Sequence, residues 1–107
     1  MAITSKQRAQ LRGMAMSLDT IIQIGKGGIT ESVVESVNAA LKARELVKGK
    51  VLENSMLTAR EACDELSKLT RSEQVQVIGT KFVIYRQHYD KNKRKIELIK
   101  DKPKTKK

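Results

Sequence analysis

The sequence predicts a single α/β layered sandwich, with a mixed four-stranded sheet and three helices. Three observations carry that expectation. Short β-branched runs alternate with stretches whose apolar residues recur every three to four positions. Two of the helical stretches open on a Thr-x-x-Gln or Thr-x-x-Glu capping pattern. The last two strand-like runs are separated by Gly79-Thr80 alone, as in a tight hairpin. Read in order, the chain gives helix, strand, helix, strand, helix, strand, strand, an arrangement that implies one α/β layer sandwich with a mixed sheet.

The first helix starts at Thr4, with Gln7 three residues on to complete the capping box. Leu11, Met14 and Leu18 are expected on its buried face, with Arg8 and Arg12 together on a flank. Ile21-Ile22-Gln-Ile24 reads as a buried strand bounded by glycine. The next helix takes Thr30 as its N-cap, with Ile29 and Val34 placed for a hydrophobic staple. Val33, Val37, Ala40 and Leu41 continue its stripe, and Lys42 and Arg44 suit the negative end of the helix dipole.

Residues 45–52 form the second strand. Val47 and Val51 share one face and Lys48 and Lys50 the other, while Gly49 is expected to weaken it. Thr58 and Glu61 open the third helix, whose face is Ala62, Leu66 and Leu69, with Cys63 as core filler. Residues 74–78 and 81–86 are the hairpin strands, in which Phe82 and Ile84 alternate with Val83 and Tyr85. Ile96, Leu98 and Ile99 lie beyond them, as an edge segment or a dock for the tail.

Composition narrows the function. At 107 residues the chain makes one domain, and 39% hydrophobic residues are too many for full disorder. No run approaches the ~20 apolar residues of a membrane helix. Residues 1–10 have no signal-peptide core, so a cytoplasmic location is expected. One cysteine, Cys63, and one histidine, His88, leave no expected metal site, cofactor or catalytic constellation. Neither the nucleotide-triphosphate loop pattern nor the dinucleotide G-x-G-x-x-G fingerprint is present. The expectation is a binding protein rather than an enzyme.

The net charge of +10 points to a polyanion. Residues 87–107 hold nine Lys/Arg and three Asp/Glu, so the C-terminal fifth carries more than half of the excess. The domain is therefore drawn over residues 1–86, followed by a basic extension over 87–107 that is at least partly disordered. Aromatic residues are few. Phe82 reads as core, and Tyr85 as a packed residue or a base-stacking one. They make no platform of the kind that single-strand readers use.

Gly25, Lys26, Gly27 and Gly28 form the most informative feature, because they join a strand to the start of a helix. Glycines let a ligand's backbone approach, unpaired N–H groups at a helix start attract phosphate, and Lys26 adds a positive charge. Alone, such a loop is also found as a plain turn.

Taken together, Gln23-Ile-Gly-Lys-Gly-Gly-Ile-Thr30, Glu45-Leu-Val-Lys48, Val75-Gln-Val-Ile-Gly79 and Val83-Ile-Tyr-Arg86 resemble the CRM domain (chloroplast RNA splicing and ribosome maturation). The similarity is to its stand-alone bacterial YhbY-like branch. It runs from about Thr4 to Arg86 and includes the early Lys6-Gln-Arg-x-x-Leu11 segment. The resemblance implies a fold like the C-terminal domain of translation initiation factor 3. It also implies RNA binding through the GxxG loop, here Gly25, Lys26, Gly27 and Gly28, and association with precursors of the large ribosomal subunit. Thr20, Gly49 and the lysine-rich end depart from the family pattern.

The expected function is therefore that of an RNA-binding accessory factor in large-subunit assembly, acting as a monomer. Arg8, Arg12, Lys48 and Arg86 are added as candidate phosphate contacts, chosen for charge and expected exposure. Two alternatives stay open: a basic DNA-binding protein, and a protein-interaction or membrane-surface module acting through the tail.

Overall fold

The computed structural model of the chain describes residues 3–99. The elements are α1 (Ser5–Ala15), β1 (Ile22–Ile24), α2 (Glu31–Arg44), β2 (Leu46–Val51), α3 (Ala59–Thr70), β3 (Glu73–Ile78) and β4 (Lys81–Tyr85). A one-turn 3-10 helix, Lys91–Lys93, follows. The sheet order is β1-β2-β4-β3. β1 and β2 run parallel, linked by the crossover helix α2, and the other pairs are antiparallel. This is the mixed four-stranded sheet with three helices that the sequence predicts.

Alternation along the strands divides the core in two. Ile22, Ile24, Val47, Val51, Phe82 and Ile84 point to the face covered by α2 and α3, where they meet Val37, Leu41, Ala62, Cys63 and Leu66. Leu46, Val75, Val83 and Tyr85 point to the opposite face, which Leu11 and Ala15 of α1 cover together with Ile3 and Ile96. β4 is therefore apolar at four consecutive positions because both of its faces are packed.

All three helix starts follow the sequence. In α1 the Thr4 hydroxyl accepts from the Gln7 N–H (3.1 Å) and the Gln7 side chain accepts from the Thr4 N–H (3.0 Å). Thr58 and Glu61 repeat the arrangement in α3, and Thr30 caps α2 through the Val33 N–H. In the β3–β4 hairpin Gly79 has φ +59° while Thr80 stays out of the left-handed region, the pattern of a II′ turn.

Four expectations change. α1 ends at Ala15, so Leu18 lies past the helix and Met14 is exposed; the buried pair is Leu11 and Ala15, four residues apart. In α3 it is Thr70, not Leu69, that turns inward, and its hydroxyl bonds the Leu66 carbonyl at 2.6 Å. Gly49 does not loosen β2. The ring of Phe82, paired with it on β4, fills the space where a side chain would stand: a Cβ at position 49 would lie 2.8 Å from ring carbon Cε1. Glycine is thus required for the packing of an aromatic across two strands.

The fourth change concerns the extension. The packed body continues past residue 86 and through residue 99, with Ile96 buried beside α1 and Leu98 packed on the same cluster. Its anchor is Glu45, a fully buried residue at the C-cap of α2 with φ +66°. The Glu45 carboxylate accepts from the backbone N–H groups of His88 (2.7 Å), Lys95 (2.7 Å) and Ile96 (2.8 Å). Its main-chain carbonyl accepts from Arg86 (2.9 Å). The lysine-rich end beyond residue 99 lies outside the described residues.

Candidate nucleic-acid interface

The GxxG loop begins where β1 leaves the sheet. The Gly28 N–H donates to the Gly25 carbonyl (3.1 Å), closing a four-residue turn with Lys26 and Gly27 exposed at its tip. Thr30 follows, and the first turn of α2 starts there. The Thr30 hydroxyl and carbonyl take the N–H groups of Val33 and Val34. Glu31 places an acidic side chain in that turn beside the loop.

The three glycines are not equivalent. Gly28 has φ +70°, a conformation that an L side chain resists. A Cβ at Gly25 would make ordinary contacts with Leu52 (3.6 Å) and Asn54 (3.7 Å), and one at Gly27 would approach only Thr30 (3.9 Å). The fold by itself thus requires glycine at position 28 and would accept a small side chain at 25 and 27.

The four other sequence-predicted cations fall into two groups. Arg8 and Arg12 stand on α1, and Lys48 points to the sheet face that α1 covers. Arg8 is half-buried and donates through Nε to the Gln74 carbonyl of β3 (3.2 Å). Arg12 is exposed in the last turn of α1. Lys48 reaches from β2 to the carbonyl of Ala15 (3.3 Å), so it also caps the end of α1.

Arg86 lies elsewhere and was expected to be exposed. Its guanidinium is instead half-buried between α2 and α3. Nη1 donates to the Asn38 side chain and to the Thr70 carbonyl (both 2.8 Å), and Nη2 donates to the Asn38 carbonyl (3.2 Å). Burial lowers its pKa from the usual arginine value. Arg86 is thus less exposed than expected, and both terminal nitrogens of its guanidinium already donate to protein acceptors.

Tyr85 is wholly buried and offers no face to a base. Burial, with the Glu45 carboxylate nearby, pushes its pKa up to about 12. His88 is half-buried, stacks on Tyr89 with ring centroids 4.7 Å apart and accepts the Asp90 N–H at Nδ1 (3.0 Å).

α1 covers only one half of its sheet face. One flank of the helix is taken by the C-terminal segment: Gln7 donates to the Ile99 carbonyl, and Gln10 donates to the Glu97 carbonyl and accepts from the Ile99 N–H. The other flank carries Arg8, which with Arg60, Gln74, Gln76 and Val77 lines a shallow hollow toward the hairpin end of the sheet. Beyond it the sheet is open. By register and alternation this open half presents Gln23 of β1, Lys48 and Lys50 of β2, Lys81 of β4, and Gln76 and Ile78 of β3.

Lys50 and Lys81 share this surface and were not among the sequence-predicted candidates. The alternation of Lys48 with Lys50 was visible in the sequence. The pairing of Lys50 with Lys81 required the register. Among the described residues the one ion pair is Arg60 with Asp64 (3.6 Å), so Arg8, Arg12, Lys48, Lys50 and Lys81 make no ion pair there.

Comparison with known proteins places this geometry. The sequence matches the CRS1 / YhbY (CRM) domain over residues 3–86. It is 38% identical over 96 residues to the probable RNA-binding protein YqeI of Bacillus subtilis (strain 168), covering 90% of this chain and 98% of that one. It is 33% identical over 84 residues to an RNA-binding protein of Haemophilus influenzae, covering 78% and 85%. The solution structure of SAV1595 from Staphylococcus aureus superposes with a TM-score of 0.72 at 42% identity, covering 90% of this chain and all of that one. By this match over residues 3–86 and by its identity to these relatives, this chain belongs to the CRS1/YhbY (CRM) domain family.

Proposed function

We propose that this protein binds RNA through the GxxG loop and the basic surface beside it, and that it serves as an accessory factor on precursors of the large ribosomal subunit. The observation that carries the reading is the loop itself. Gly25 and Gly27 are glycines where the fold would accept a small side chain, and they stand beside Lys26 just before a helix start. Arg12 and Lys48 add positive charge, and Arg8 adds more at the α1 flank. The family, and relatives named as RNA-binding proteins, support an RNA partner. The resemblance to the stand-alone, ribosome-linked branch supports the assembly role.

The mechanism is backbone binding that holds an rRNA segment while the particle matures. Neutralising about five phosphates gives a slope of log K against log salt near −3.5 for a single strand. A sucrose gradient of cell lysate at two salt concentrations tests the role. Migration with large-subunit precursors at low salt, lost at high salt, is expected. A chain that stays at the top at both salts overturns the assembly role, and competition by duplex DNA equal to that by rRNA overturns the choice of RNA.

A further inference from the structure

We propose that the open half of the sheet is a second part of the RNA site, in which Lys50 and Lys81 together hold backbone phosphate. This rests on the RNA reading above and extends it to residues outside the loop.

The argument starts from an energetic oddity. Lys50 and Lys81 are direct cross-strand partners on the same face. Like charges in that position oppose strand pairing. Here the flanking positions in the same row are Gln23 on β1 and Ile78 on β3, and the next basic residue along β2 is Lys48. Among the described residues none of these lysines makes an ion pair. An anion between them removes the repulsion.

The surroundings select the anion. The row is continuous with the loop, because Gln23 is in register with Lys50 and lies two residues before Gly25. Arg8 and Arg12 stand on the α1 flank at the other side. The surface is thus an open strip with positive charge at the loop, on the floor and along the wall. Such a strip fits a chain of repeating phosphates better than a compact anion. Gln23 and Gln76 add amides that pair with base edges or 2′-hydroxyls. The exposed Ile78 gives the strip an apolar end, as a membrane-facing patch would also have, and the test separates the two.

The test uses the full chain and a large-subunit rRNA transcript, with K26E as comparator. At 0.1 M salt each lost phosphate contact weakens binding about 5-fold, so K50Q/K81Q is expected to bind about 25-fold more weakly, with a salt slope shallower by about 1.4. K81E supplies the missing partner for Lys50. Its Tm is expected to rise by roughly a few degrees while its RNA affinity falls.

If wild type binds, K26E weakens binding and K50Q/K81Q leaves affinity and slope unchanged, the sheet site is overturned and the loop reading stands. If wild type binds no RNA, both fall together. A lower Tm in K81E overturns the argument from repulsion. A K50Q/K81Q protein that loses binding to phosphatidylserine vesicles but keeps its RNA affinity assigns the strip to a membrane and overturns the proposal.

Discussion

The ring of Phe82 stands where a side chain at Gly49 would be, so one residue of β2 is chosen by its neighbour on β4. Gly49→Ala is expected to destabilise the fold by about 1–3 kcal/mol, the usual result of overpacking. Urea unfolding of G49A, F82L and the double variant measures it. The double variant should cost less than the sum of the two single changes, because both act on the same space. Additive losses would show that the two residues are independent.

Glu45 holds three backbone N–H groups of the segment that crosses α1. Glu45→Gln replaces an acceptor oxygen with a donor facing a donor, and should cost about 1–3 kcal/mol. Hydrogen exchange locates the effect. The amides of His88, Lys95 and Ile96 should lose protection while those of β2 and β4 keep theirs.

The contacts of Arg86 with Asn38 and Thr70 make it a structural residue. A lysine cannot reproduce that fork. Arg86→Lys should lower stability by about 1–2 kcal/mol and leave the salt slope of RNA binding as in wild type. A slope shallower by about 0.7 would return Arg86 to the list of phosphate contacts.

Two buried groups give the protein a sensitivity to base. Burial pushes the Cys63 thiol from 9.0 up to about 11 and the Tyr85 hydroxyl from 10.0 up to about 12. In both cases the folded state holds its proton more tightly than the unfolded chain. The stabilisation is therefore complete below pH 9 and is lost as pH rises through 11 and 12. Tm is expected to fall across that interval, and Cys63→Ala should flatten its lower part. The same burial predicts that a thiol reagent labels Cys63 only at the rate of unfolding.

The loop separates shape from charge. Gly27→Ala fits the fold, whereas Gly28→Ala must accept φ +70° and should cost about 1 kcal/mol. Lys26→Glu leaves a solvent-exposed position folded. G27A and K26E should both keep the wild-type Tm and both bind rRNA at least about 5-fold more weakly. Folded variants with unchanged affinity would remove the loop from the site.

Local signals were legible where their cause is local. The capping boxes at Thr4 and Thr58, the cap at Thr30 and the Gly79-Thr80 turn each depend on residues a few positions apart, and each stands as read. The mixed sheet with three helices followed from the alternation of strands and helices, whereas the strand order β1-β2-β4-β3 had to come from the fold. The misread positions depend on partners far along the chain. Gly49 looked like a weakness because Phe82 is 33 residues away, and Arg86 looked free because Asn38 and Thr70 are out of sight in one dimension. Glu45 stands in the sequence as the start of the second strand, and its role as an anchor depends on residues 88, 95 and 96. The same holds for the interface: the loop carries its own signature, but the Lys50–Lys81 pair exists only once β2 and β4 are in register.

The place of β4 also has a temporal consequence. It is the last strand in sequence, yet it lies inside the sheet between β2 and β3. Synthesis releases the N-terminal residues first. Until Tyr85 has left the ribosome, β2 keeps one unpaired edge and β3 has no partner at all. An open edge of that kind invites pairing with other chains. The nascent protein therefore passes its most vulnerable interval with three strands made and no closed sheet, and the hairpin through Gly79 ends that interval by delivering β4 beside β3 as soon as it emerges.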